Sequence, residues 1–135
     1  MLDIFRKKET VKVQLGEAEI VCKPYESRTY AITKIKTLSI LNELKQQRLD
    51  ELENGVETQV PNLDDNDVFT GLFNCIFNVE LAKLVILKWS NIGIKGKAVP
   101  VTPENIELLF EDGFLQEQFY IQYMKKQIEI EEEKK

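Results

Sequence analysis

The chain has no histidine, two cysteines and one tryptophan among its 135 residues, and these shortages remove whole classes of chemistry. Without histidine, Ser-His-Asp and Cys-His mechanisms within one chain are excluded, and the commonest zinc ligand is missing. Cys22 and Cys75 are far apart in sequence, so no structural zinc site is expected. No GxxxxGK[ST], GxGxxG or GxSxG occurs, which removes the usual phosphate cradles and the nucleophile elbow. Long hydrophobic runs are lacking as well. The most apolar stretch, residues 81–87, is short and contains Lys83, so no membrane span is expected.

What is present is the composition of a folded domain, 43% hydrophobic and 30% charged. A chain of this length buries roughly two thirds of its unfolded surface, enough for one core. The formal charge of −5 opposes nonspecific attraction to phosphate backbones. Lys95 with Lys97, and Arg6 with Lys7 and Lys8, form small basic clusters, but neither has interleaved aromatics for stacking, and no nucleic-acid partner is expected. The start, MLDIFRKKE, lacks the apolar run and cleavage site of a signal peptide. Cys22 and Cys75 fall in expected strand and helix interiors, so buried thiols in a reducing cytoplasm are the expectation.

Carboxylates are plentiful, and paired acids can run hydrolysis without histidine. Asp64, Asp65 and Asp67 are the best cluster, and capping with dipole complementation explains them without invoking a site. Glu111 and Asp112 read as the polar end of a helix. No catalytic residue, metal or cofactor is therefore expected.

Along the chain, VKVQL and AEIVCK alternate about Gly16-Glu17 and predict a hairpin over residues 11–23. Val11, Val13 and Leu15 would share one face with Ala18, Ile20 and Cys22 opposite. A helix of roughly 40 Å follows from Ser27 to Asn54-Gly55, with Ala31, Ile35, Leu38, Leu41, Leu49 and Leu52 as its apolar face. Its distal part, KQQRLDELE, is polar and would fray, turn back early or meet another subunit. Leu63, Asp64 and Val68 predict a second capped start. The face opened by Phe69, Leu72, Phe73 and Ile76 runs into Glu80 and Lys83, which predicts a break near Asn78 or a central helix buried on several sides.

Trp89 reads as a core residue that follows this helix and covers a Gly93 and Gly96 loop. Val101, Thr102, Pro103 and Ile106 have the positions of staple, cap, first-turn proline and staple partner, with Asp112-Gly113 as the stop. A last helix spans about residues 114–130, with Phe114, Ile121, Met124 and Ile128 on one face. Phe119, Tyr120 and Tyr123 add aromatics on adjacent positions. One helical face cannot bury all of these rings in a small domain, so Phe114, Phe119, Tyr120 and Tyr123, together with Leu49 and Leu52, are the candidate partner-binding residues.

The expected architecture is mainly α, of the α+β class, with a short N-terminal antiparallel β-hairpin followed by about four helices. Residues 1–10 form a flexible N-terminus, residues 11–130 one domain, and residues 131–135 a charged, solvated tail.

Residues 89–109, WSNIGIKGKAVPVTPENIELL, carry Trp, then Gly-Lys with valine and proline, then Thr-Pro-Glu-Asn and an apolar helix. That order resembles the tail assembly chaperones of long-tailed bacteriophages, over residues 80–125. The resemblance implies a non-enzymatic phage or prophage protein that binds the tape measure protein and other tail proteins in the host cytoplasm. It also implies self-association, and in some members a frameshift-extended form. The Gly-Lys connector is shorter here than is usual in that family. Two other readings stand beside it: a tail or head-tail component retained in the particle, and a small regulatory protein with a carboxylate site.

Overall fold

The computed structural model describes Met1 and residues 9–133. In chain order its elements are β1 (Val11–Leu15), β2 (Ala18–Cys22), α1 (Ser27–Glu53), α2 (Asn66–Val85), β3 (Ile86–Ser90), β4 (Gly93–Ile94), β5 (Lys97–Ala98), α3 (Pro103–Leu109) and α4 (Gly113–Glu133). The protein is mainly α, with four helices and a short N-terminal antiparallel strand pair among the described residues. Two compact units are formed, a sheet unit of Met1–Glu26 with Ala82–Lys135 and a helical unit of Ser27–Leu81. Most of the expected flexible segment 1–10, with its Arg6, Lys7 and Lys8 cluster, lies outside the described residues, as do Lys134 and Lys135. Residues 131–133, expected in the charged tail, continue α4.

In the sheet unit, the period of two is realised directly. Val11, Val13 and Leu15 are buried while Lys12 and Gln14 are exposed, and Val13 lies opposite Ile20. Gly16 takes the positive φ of 59° that the hairpin turn requires. A third strand, β3, then pairs antiparallel with β2 to give the order β1-β2-β3. The register slips between Val21 and Cys22, and both of these side chains are buried.

This third strand corrects the expectation for residues 78–89. The helix does not break at Asn78, and much of its length is only half-buried rather than enclosed on several sides. It runs to Val85, whose carbonyl accepts from the Lys23 N–H at 2.8 Å, and the chain passes at once into β3. Trp89 therefore sits on a strand opposite Ile20, not at the end of a helix. It is half-buried rather than core, with Nε1 donating to the Val99 carbonyl at 2.8 Å.

The expected glycine loop is a small hairpin. Lys95 and Gly96 both take positive φ, 51° and 80°, as a two-residue turn of the type I′ kind demands. Gly93 is needed for proximity: a Cβ there would lie 2.4 Å from the Lys97 carbonyl oxygen. The next helix start forms as read. Thr102 Oγ1 accepts from the Asn105 N–H at 3.1 Å, Pro103 opens α3, and Ile106 is buried. α3 ends at Leu109, two residues before the expected Glu111, with Phe110 as its C-cap, and Asp112 serves the following helix. Asp112 caps α4, its Oδ1 accepting from the N–H groups of Phe114 and Leu115 at 3.0 and 3.2 Å.

The helical unit contains α1 and most of α2. Tyr30 meets Phe77 at a ring separation of 5.9 Å, while near the other end Arg48 Nη1 donates to the Val60 carbonyl at 2.6 Å. The two helices therefore run antiparallel. The distal half of α1 does not fray, and Gln46–Asp50 and Gln47–Glu51 side-chain bonds line it. Its cap is Asp65 rather than Asp64 at the start of α2: Asp65 Oδ1 accepts from the Asp67 and Val68 N–H groups at 2.9 and 3.2 Å. Asp64 instead approaches Lys45 at 3.8 Å.

The apolar face expected on α1 divides. Leu41 is buried, but Ala31, Ile35, Leu38, Leu49 and Leu52 are exposed, and the buried positions beside Leu41 are Thr33 and Thr37. Their hydroxyls donate to the carbonyls of Thr29 and Thr33 at 2.7 Å each. With the polar atom satisfied inside the helix, threonine can be buried at little penalty.

Candidate partner-binding site

The six residues singled out for partner contact have three different fates. Phe119 and Tyr123 are core residues of the sheet unit, 1% and 0% exposed, which corrects their assignment to a partner surface. Phe119 packs on Phe110 and Tyr123 with ring separations of 5.3 and 5.9 Å. Tyr120 is half-buried. Phe114 is 68% exposed on α4, and Leu49 and Leu52 are exposed on α1, so these three belong to different compact units.

Two buried rings and a set of anchored polar groups orient α4. The buried line is Gln116, Phe119, Tyr123 and Gln127, leaving Phe114, Ile121 and Ile128 exposed and Met124 half-buried. The buried polar groups are anchored: Tyr123 Oη donates to the Lys23 carbonyl at 2.8 Å, Gln127 Oε1 accepts from the Tyr25 N–H at 2.9 Å, and Gln116 Nε2 donates to the Phe110 carbonyl at 3.3 Å. Gln122 accepts from the N–H of Gln14 at 3.1 Å and donates to its carbonyl at 2.8 Å, so α4 grips the outer edge of β1. A helix carrying three backbone-seeking glutamines and a tyrosine docks where those partners are.

These anchored groups are poor reagents. Burial pushes the Cys22 thiol up to about 12 from its ordinary 9.0 and raises the Tyr123 phenol in the same direction, with nearby Cys22, Tyr25 and Glu26 adding to the latter. The two cysteines are not bridged, and Cys75 is exposed on α2, contrary to the expectation that both are buried. Among the described residues no three His, Cys, Asp or Glu side chains gather as a metal-holding group. Lys83 pairs with Glu107 on the surface of the sheet unit.

The candidate site that sequence reasoning passed over lies on α2. Phe69, Phe73 and Phe77 follow at intervals of four residues and stack as a ladder, with centroids 6.3 and 5.9 Å apart. Phe77 is buried, whereas Phe69, Leu72, Phe73 and Ile76 are only half-buried. By length and composition α2 could cross a membrane, yet just 22% of its most apolar window is buried. The ladder spacing was visible in the sequence. Phe69 and Phe73 belong to the opening apolar face of this helix, and periodicity alone does not tell how far such a face is covered.

Comparison with known proteins adds no relative: no protein family, curated protein or solved structure matches the chain.

Proposed function

We propose that this chain is a non-enzymatic tail assembly chaperone of a long-tailed phage or prophage, which binds the tape measure protein and keeps it soluble during tail morphogenesis. The single observation that supports the reading is the aromatic ladder of α2, whose Phe69 and Phe73 rungs are only partly buried. Apolar area removed from water contributes roughly 25 cal/mol per Å². Rigid aromatic rings supply that area at small entropic cost, which suits them as anchors for another polypeptide. Covering apolar segments of a long partner prevents those segments from associating with one another. Release follows when tail subunits compete for the same segments, which a modest interface permits.

Co-expression with the tape measure protein tests this. The expected result is a larger soluble fraction of the tape measure protein and its co-purification with this chain. A Phe69→Ala, Phe73→Ala double variant should keep its far-ultraviolet circular dichroism and lose most of the rescue. No gain in solubility with the wild-type chain overturns the proposal. Recovery of the chain in purified virions would replace it with a structural tail component, and recovery in the membrane fraction would assign α2 to a bilayer.

A further inference from the structure

Along α1, exposed side chains recur at alternating intervals of four and three residues, the a and d spacing of a coiled-coil seam. Ala31, Ile35 and Leu38 occupy this seam at one end and Leu49 and Leu52 at the other, with Asn42 and Lys45 between them, and all seven are exposed. Ile35 is 68% and Leu49 61% exposed, so these are not edges of the protomer core. The seam is a different face of the helix from the buried line of Thr33, Thr37 and Leu41.

We propose that α1 pairs with α1 of a second copy as an antiparallel two-stranded coiled coil. In antiparallel pairs an a position faces a d position, and one register matches the six seam positions from Ile35 to Leu52, with Ala31 lying beyond the paired length. It sets Ile35 against Leu52 and Leu38 against Leu49 of the other copy. The two polar positions then meet each other, with the Lys45 ammonium donating to the Asn42 carboxamide oxygen across the two-fold axis. A parallel pair would instead stack Lys45 on Lys45 in one layer, like charge on like charge. Asp64, 3.8 Å from Lys45 in the same protomer, balances the ammonium beside the seam. The two-fold axis makes this pair twice, in adjacent layers, and such polar layers fix register at some expense of affinity.

The polar–polar and apolar–apolar matching of the seam with its own reverse is what identifies the occupant as a second copy. From Ala31 to Leu52 the seam is about 32 Å long at 1.5 Å per residue, on a helix about 10 Å wide. That strip falls short of the ~1,600 Å² of a standard interface, so the dimer is reversible, in the micromolar range. The proposal does not rest on the tape-measure reading, which concerns α2.

Sedimentation equilibrium of the full chain across the micromolar range should show a monomer passing reversibly to a dimer. An Ile35→Lys, Leu49→Lys variant should weaken dimerisation about tenfold or more while keeping the wild-type circular dichroism and melting midpoint, because both side chains are exposed in the protomer. Orientation is read by oxidative cross-linking in a Cys75→Ser background. The Leu38→Cys, Leu49→Cys double variant should form covalent dimers, and neither single variant should. Cross-linking of Leu38→Cys alone would mean a parallel pair and overturn the register. A wild-type chain that stays monomeric throughout, or a dimer indifferent to the two lysines, overturns the proposal.

Discussion

Two phenylalanines five positions apart on α4 separate the face that holds the sheet unit together from the face that does not. Replacing Phe119 by alanine removes a ring that is 1% exposed and touches Phe110 and Tyr123 at 5.3 and 5.9 Å. Burial of such a side chain contributes about 2–3 kcal/mol, and its aromatic contacts with the cavity left behind add about 1–2 more. Phe119→Ala should therefore destabilise by about 3–5 kcal/mol. Phe114→Ala, at a position 68% exposed, should change stability by less than about 0.5 kcal/mol. Urea unfolding followed by circular dichroism reads both: at a slope of about 2 kcal/mol per M, the Phe119 variant loses about 2 M of midpoint and the Phe114 variant almost none. If Phe119→Ala leaves the chain unfolded, Phe119→Leu at a cost of about 1–2 kcal/mol keeps the comparison measurable. Equal losses at the two positions, or a larger one at Phe114, would refute the orientation of α4.

Alkali should destabilise the sheet unit through Cys22 and, in the same direction, through the buried Tyr123 phenol. The folded value of Cys22 is raised from 9.0 to about 12, so its contribution is intact below pH 9 and is lost as the pH climbs toward 12, by about 1.4 kcal/mol per pH unit. Cys22→Ala should show a flatter decline of melting midpoint over that window, and parallel curves would dismiss the linkage. At the start of α2, Asp65→Ala should cost about 1 kcal/mol while Asp64→Ala costs a few tenths at most, since one side chain caps and the other makes a loose exposed ion pair. Thermal melts that rank the two in the opposite order would return the cap to Asp64. Gly93→Ala should cost about 1–3 kcal/mol, because its new methyl would meet the backbone of Lys97 rather than a movable side chain. Amide exchange at Lys97 and Ala98 should quicken with it, and unchanged exchange would show that the hairpin yields freely.

The parts of this fold that were legible are those with local causes. The alternation of Val11 to Leu15, the turn at Gly16 and the Thr102-Pro103 helix start each depend on neighbours within a few residues, and each formed where its pattern stood. The β3 strand was hidden because residues 81–89 contain no glycine or proline to mark an end, and Leu81, Leu84 and Val85 keep a helical spacing on a new face. Long-range pairing with β2 ended that helix, and no local signal announces it. The faces of α1 and α4 were misjudged for a shared reason. Counting apolar residues favoured Ile35, Leu38, Phe114 and Ile121, whereas the buried lines join Leu41, Phe119 and Tyr123 to threonines and glutamines whose polar atoms find backbone partners. Of the candidate partner residues, Phe114, Leu49 and Leu52 are exposed, and the Phe69–Phe73 rungs are visible as the opening face of α2, whose degree of cover no local pattern reports.

The amide of Gln122 occupies both outward hydrogen-bonding groups of Gln14, as a neighbouring strand would. A side chain thus impersonates backbone at the rim of the hairpin, and an extended foreign segment arriving there finds its first docking point already filled. Extension of the sheet past β1 would first require this side chain to let go, so the cost of adding a strand there includes breaking both of its bonds.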